Sequence, residues 1–119
     1  MITEHAEILT QIKNTVKATD PGAEVILFGS RARGDFNSDS DWDLIVLLNK
    51  QNIDFVDKRI IRRNLYQVEL SFGQPLSVFV YSSKDWNQFH SQTPFFKAIK
   101  DEGIRLLVRI TRMIISVIG

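Results

Sequence analysis

Gly29-Ser30-Arg31-Ala32-Arg33-Gly34-Asp35-Phe36-Asn37-Ser38-Asp39-Ser40-Asp41-Trp42-Asp43-Leu44 sets a glycine-serine turn and two arginines ahead of two aspartates one residue apart. Short apolar runs flank it, Ala23-Glu24-Val25-Ile26-Leu27-Phe28 before and Leu44-Ile45-Val46-Leu47-Leu48 after. Both are rich in β-branched or aromatic residues and bounded by turn formers, the pattern of buried strands. The stretch therefore reads as strand, loop, strand. Side chains alternate along a strand at about 3.3 Å per residue, so Asp41 and Asp43 share a face, roughly 6 to 7 Å apart, with Trp42 turned away.

Two carboxylates this close repel, and one takes up a proton unless a cation lies between them. Mg²⁺ suits such a pair, because it accepts one or two protein carboxylates and completes its octahedron with water and substrate phosphates. Gly29 permits close approach of the backbone to a ligand, and the N–H groups and hydroxyl around Ser30 suit a phosphate. These are the ingredients of metal-assisted nucleotidyl transfer. A solvated acidic turn is the plain structural alternative.

Other glycine and aspartate motifs do not fit. Gly29 and Gly34 have the spacing of a Walker A loop, but Asp35-Phe36 stands where Lys-Ser/Thr is required, and a dinucleotide fingerprint lacks its middle glycine at Arg31. Asp39, Asp41 and Asp43 imitate the start of an EF-hand loop, whose glycine and bidentate glutamate positions hold Leu44 and Lys50.

On the same residues the chain resembles the minimal nucleotidyltransferases of the DNA polymerase β-like superfamily, antitoxin type. The resemblance rests on Gly-Ser, ten intervening residues beginning Arg-Ala-Arg-Gly, and Asp-x-Asp-Leu on a strand. It implies that Gly29 and Ser30 bind the triphosphate of an NTP, ATP foremost, and that Asp41 and Asp43 bind Mg²⁺ or Mn²⁺ and carry the catalysis. Arg31 or Arg33 would neutralise charge on the leaving pyrophosphate, although Asp35 and Asp39 are equally available partners for them. The implied reaction moves a nucleoside monophosphate to a hydroxyl, on a helical HEPN-type partner protein, with a homo-oligomer as a further possibility. The family's third carboxylate sits on the strand after the second helix, where Leu76-Ser77-Val78-Phe79-Val80 offers Ser77. Glu69 is the nearest substitute, and a helix-surface acid is its simpler reading. A binding module that neutralises a partner by contact alone is the rival from another class. Small-molecule modification is a second enzymatic rival, disfavoured because such enzymes carry an extra helical domain.

The composition sets bounds on these readings. At 119 residues the expectation is a single nucleotidyltransferase domain over 1–110 with an apolar tail over 111–119. No cysteine is present, which excludes disulfides, zinc-thiolate sites and thiol nucleophiles. His5 and His90 lack metal-binding partners. Fifteen basic against fourteen acidic residues, net +1, argue against a duplex-binding footprint. Glu4 and Glu7 interrupt any apolar leader and the tail is too short and charged to span a membrane, so a cytoplasmic protein is expected.

The remaining elements follow in order. Thr3 caps a helix with Ile8, Leu9, Ile12 and Val16 on one side, ended by Asp20-Pro21-Gly22. A second helix runs from about Ile53 to Phe72, with Gly73 as C-cap. Its apolar stripe is Val56, Ile60, Ile61, Leu65 and Val68; Lys58, Arg59, Arg62 and Arg63 make a basic cluster, read first as a solvated face. Leu76 to Tyr81 forms a third strand, apolar on both sides and so expected to be buried on both. Ser83 caps a short helix, and Thr93-Pro94 opens another that ends at Gly103. Trp86, Phe89, Phe95 and Phe96 read as core or rim packing. Ile104 onward is a final strand or helix, and the tail needs a partner to cover it. The fold class is α/β (α+β): a small mixed sheet of 23–28, 42–48 and 76–81 flanked by helices, with the site at the mouth of the first two strands.

Overall fold

The structure is a computed structural model that describes residues 4–89 and 93–107. Thr3, His90 and the tail over 111–119 lie outside the described residues. Helix α1, Glu4–Thr19, buries Ile8, Ile12 and Val16, spaced four apart on one face. The Asp20 carboxylate accepts the Gly22 N–H at 3.0 Å and the Asn49 N–H at 2.8 Å, tying the exit of α1 to the end of the second strand. Strand β1 is Glu24–Phe28, and the turn after it closes into a one-turn helix α2, Ser30–Arg33, ending at Gly34. Strand β2 is Trp42–Leu48.

Helix α3, Phe55–Phe72, starts at a reciprocal capping box between Asp54 and Asp57 and stops at Gly73, whose φ of 62° is left-handed. Strand β3 is Leu76–Ser82, followed by α4, Ser83–Phe89, α5, Pro94–Glu102, and β4, Ile104–Leu107. Thr93 caps α5 as its sequence predicts, its hydroxyl accepting the Phe96 N–H at 3.3 Å. The cap of α4 is Ser82 rather than Ser83, because the Ser82 hydroxyl accepts the Asp85 N–H at 3.0 Å.

The sheet has four strands in the order β3-β2-β1-β4, with β1 antiparallel to both β2 and β4 and with β2 parallel to β3. The mixed α/β architecture expected from sequence is present, enlarged by β4. One face packs Val25, Leu27, Leu44, Val46 and Val80 under α1 and α3. The other packs Ile26, Ile45 and Leu47 against Trp86 of α4 and Phe96 and Ile99 of α5.

Two expectations are corrected. The stripe that α3 buries is Ile61, Leu65 and Val68; Val56 and Ile60 are exposed, since the sheet is wide enough to cover only part of that surface. Strand β3 is an edge strand and not buried on both sides, with Phe79 39 % exposed, because nothing in the local sequence specifies which strand ends the sheet.

Candidate active site

Alternation along β2 divides the chemistry of the loop between two sides. Trp42 enters the core beneath α1, only 3 % exposed, and donates its indole N–H to Gln74 Oε1 at 2.6 Å. Asp43, half-buried, alternates to the opposite side, and Asp41, exposed, precedes the strand near enough for its charge to act on Asp43. Asp43 is the cross-strand partner of Phe28, the last residue of β1, so its carboxylate stands against the turn that begins at Gly29.

Gly29 has a φ of 73°, and a Cβ built there would collide with the Asp43 carboxylate. Any other residue would be strained in backbone and would displace the acid. Beyond it the N–H groups of Ala32 and Arg33 donate to Gly29 O, and those of Gly34 and Asp35 to Ser30 O. The Ser30 and Arg31 amides thereby open the turn, where the first N–H groups have no intrahelical acceptor.

The arginines part ways. Arg31 is 6 % exposed and faces the Trp42 side. Its guanidinium lies 4.3 Å from the Trp42 ring and 4.7 Å from the Phe36 ring, donates to Ser40 O at 3.0 and 3.3 Å, and approaches His5 Nε2 at 3.2 Å. That cage fixes the path of the Asp35–Ser40 loop. Arg33 remains open, with Asp35 at 3.4 Å and Glu102 of α5 at 3.9 Å. Burial first, and the Asp41 charge second, hold the Asp43 carboxyl above its usual range, and Arg33 opposes them.

Ser77 is the parallel-strand partner of Asp43, in the place where a third carboxylate would adjoin it. Among the described residues no group of three or more His, Cys, Asp or Glu is gathered to hold a metal ion. Glu69 lies on α3, under the other face of the sheet, and its carboxylate accepts the Leu76 N–H at 2.8 Å, fastening helix to strand. The exposed basic residue Arg62 lines a groove with Tyr66, Glu69 and Ser77, beside the edge strand.

The sequence profile of the nucleotidyltransferase domain matches residues 9–104, from α1 through the start of β4. The chain belongs to this family. The nucleotidyltransferase shares its fold with a solved toxin-antitoxin bound to AMP-PNP, at a TM-score of 0.60 and 15 % identity over 87 % of this chain and 76 % of the other. A nucleotidyltransferase candidate from Sulfolobus solfataricus aligns at a TM-score of 0.56 and 18 % identity, over 86 % of this chain and 81 % of that one. No curated protein sequence matches the nucleotidyltransferase. None of its described helices is long and apolar enough to cross a membrane.

The donor set suits a divalent cation that shares its shell with phosphate. Asp43's carboxyl is held up by burial first and by the charge of Asp41 second, a cost that a bound cation would offset. Sequence reasoning treated Arg31 and Arg33 as equivalent and missed Arg31's cage. Its signal was the pairing of a buried Trp42 with Phe36 and Ser40, which only the folded loop brings together.

Proposed function

We propose that this nucleotidyltransferase transfers a nucleoside monophosphate from an NTP, ATP foremost, to a hydroxyl on a partner protein. The observation that carries the reading is the packing of Gly29 against Asp43, which sets the glycine-serine turn against that carboxylate with no room for a side chain between them. Gly29 and Ser30 would receive the β- and γ-phosphates through the turn's amides and hydroxyl. Asp41 and Asp43 would hold Mg²⁺ or Mn²⁺, which when bound supplies charge neutralisation at the reacting phosphorus. Arg33, the exposed cation whose charge acts on Asp43, would meet the charge that develops on pyrophosphate as the bond from the α-phosphorus to the leaving oxygen breaks. Arg31 would act at one remove, by setting the loop.

The toxin-antitoxin neighbour supports a protein acceptor, here a helical HEPN-type partner, in the cytoplasm. Titration of ATP with Mg²⁺ into wild type and Asp41→Ala/Asp43→Ala protein tests the site; equal binding by both would refute it. A second reading, a module that neutralises its partner by contact alone, draws on Ser77 in place of an acid beside Asp43, since no carboxylate there would take the acceptor's proton. Intact-mass measurement of a co-expressed partner separates the two: a gain of one nucleotide monophosphate, abolished by Asp41→Ala, marks the enzyme, and neutralisation without mass change marks the module.

A further inference from the structure

The face of the sheet that carries Asp43 continues into aromatic rings. Phe28 is the cross-strand neighbour of Asp43 on one side, Ser77 its neighbour on the other, and Phe79 follows two residues along β3 on the same face. Phe28, Phe79 and Phe95, the last from the first turn of α5, form a closed triangle. Ring centroids are 5.9 Å apart for Phe28–Phe79 and for Phe28–Phe95, and 6.4 Å apart for Phe79–Phe95. Phe79 is 39 % exposed and Phe95 42 %. The neighbouring aromatic group behaves differently: Tyr81 and Phe96 close around Trp86, which is 4 % exposed and serves the core.

Single exposed apolar residues are ordinary, but rings in mutual contact that stay half open beside a carboxylate pair form a continuous surface with a direction. We propose that Phe79 and Phe95, backed by Phe28, are the stacking surface for the nucleobase of the triphosphate substrate. The inference rests on the nucleotide reading above. A nucleotide held by its terminal phosphates at Gly29 and Ser30, and by its α-phosphate through the cation that Asp41 and Asp43 would hold, carries sugar and base past the carboxylates. The ring surface begins at the cross-strand neighbour of Asp43, so the base is the part of the ligand that reaches it. Benzene rings present a π face and no hydrogen-bonding edge, so this surface holds any base and favours the larger area of a purine. Packing accounts for the inner contacts of Phe95; stacking would use its outer side.

The test compares ATP with inorganic tripolyphosphate, which has the phosphates and no base, by calorimetric titration in Mg²⁺. Wild type, Phe79→Ala and Phe79→Tyr are measured as full chains. Loss of one stacked base lowers affinity roughly 5- to 150-fold. The expected result is a loss in that range for ATP in Phe79→Ala, unchanged tripolyphosphate binding, and ATP affinity retained in Phe79→Tyr. An unchanged ATP affinity in Phe79→Ala, or an equal loss for both ligands, overturns the stack while leaving the phosphate site in place. If wild type binds neither ligand, the phosphate site fails and the stack with it.

Discussion

The two faces of β2 differ at their start and are alike after three residues. On one, Trp42, Leu44, Val46 and Leu48 are all buried under α1 and α3. On the other, Asp43 precedes the buried Ile45 and Leu47, so the strand enters the core from a half-buried acid beside Gly29. Each face has its own arginine: Arg31 is locked against Trp42, and Arg33 stands in solvent with Asp35 and Glu102. A side closed from its first residue is thus built back to back with one whose first residue is an acid. The lesson is that a site of repelling charges can be held in place by the apolar alternation of the same strand.

Trp42→Ala attacks the closed side and should cost the most. It empties a core position and removes the Arg31 ring contact and the Gln74 bond, so urea unfolding is expected to show a loss of about 3–5 kcal/mol. A loss under about 1 kcal/mol would mean that the cage does not support the loop.

Gly29→Ala compared with Gly34→Ala measures what the close approach to Asp43 adds. Both glycines have positive φ; Gly34 (φ 85°, ψ 5°) is left-handed, where a side chain costs about 1–2 kcal/mol, and Gly29 (φ 73°, ψ −158°) lies in a region essentially confined to glycine, so its substitution is strained further. Only at Gly29 does the new Cβ meet Asp43, whereas open space surrounds Gly34. Gly29→Ala is therefore expected to be the less stable of the two and to lose Mg²⁺-nucleotide binding, which Gly34→Ala retains. Equal behaviour would remove the packing argument.

The arginine pair gives a smaller contrast. Arg31→Lys cannot keep both bonds to Ser40 O and the stacking on Trp42, and should destabilise by about 1–2 kcal/mol. Arg33→Gln should stay within about 0.5 kcal/mol of wild type, as an exposed pair contributes little, yet weaken triphosphate binding. The reverse pattern would exchange their roles.

The smallest effect concerns Asp43 itself. Its raised pKa means that the folded chain holds this proton more tightly than the unfolded one, so stability falls as pH rises from the ordinary carboxylate value through the folded value. Without metal, Asp43→Asn should therefore melt slightly above wild type at neutral pH and converge with it in acid, while losing metal-dependent nucleotide binding. A variant less stable than wild type at pH 7 would show that Arg33 outweighs burial and the Asp41 charge.

Sequence alone determined the strand-turn-strand around Gly29 and the side of β2 on which Asp43 stands, because a period of two and a glycine-serine turn are local properties that few residues encode. It also located the stop of α3 and both ends of α5, where Gly73 and Thr93 satisfy terminal backbone groups within a few positions of themselves, whereas the capping box at Asp54 starts α3 at Phe55 and not at the expected Ile53. Tertiary structure alone decided that β3 is an edge, that β4 joins β1, and that Ser77 pairs with Asp43. It also separated Arg31 from Arg33 and left Phe79 and Phe95 open beside the acids. Strand order, register and the partner of a long side chain depend on contacts between residues tens of positions apart, as when Arg105 reaches back across the sheet to Glu24 at 3.0 Å. No local pattern carries that information, since it arises only when the packed helices determine which surfaces of the sheet remain to be covered.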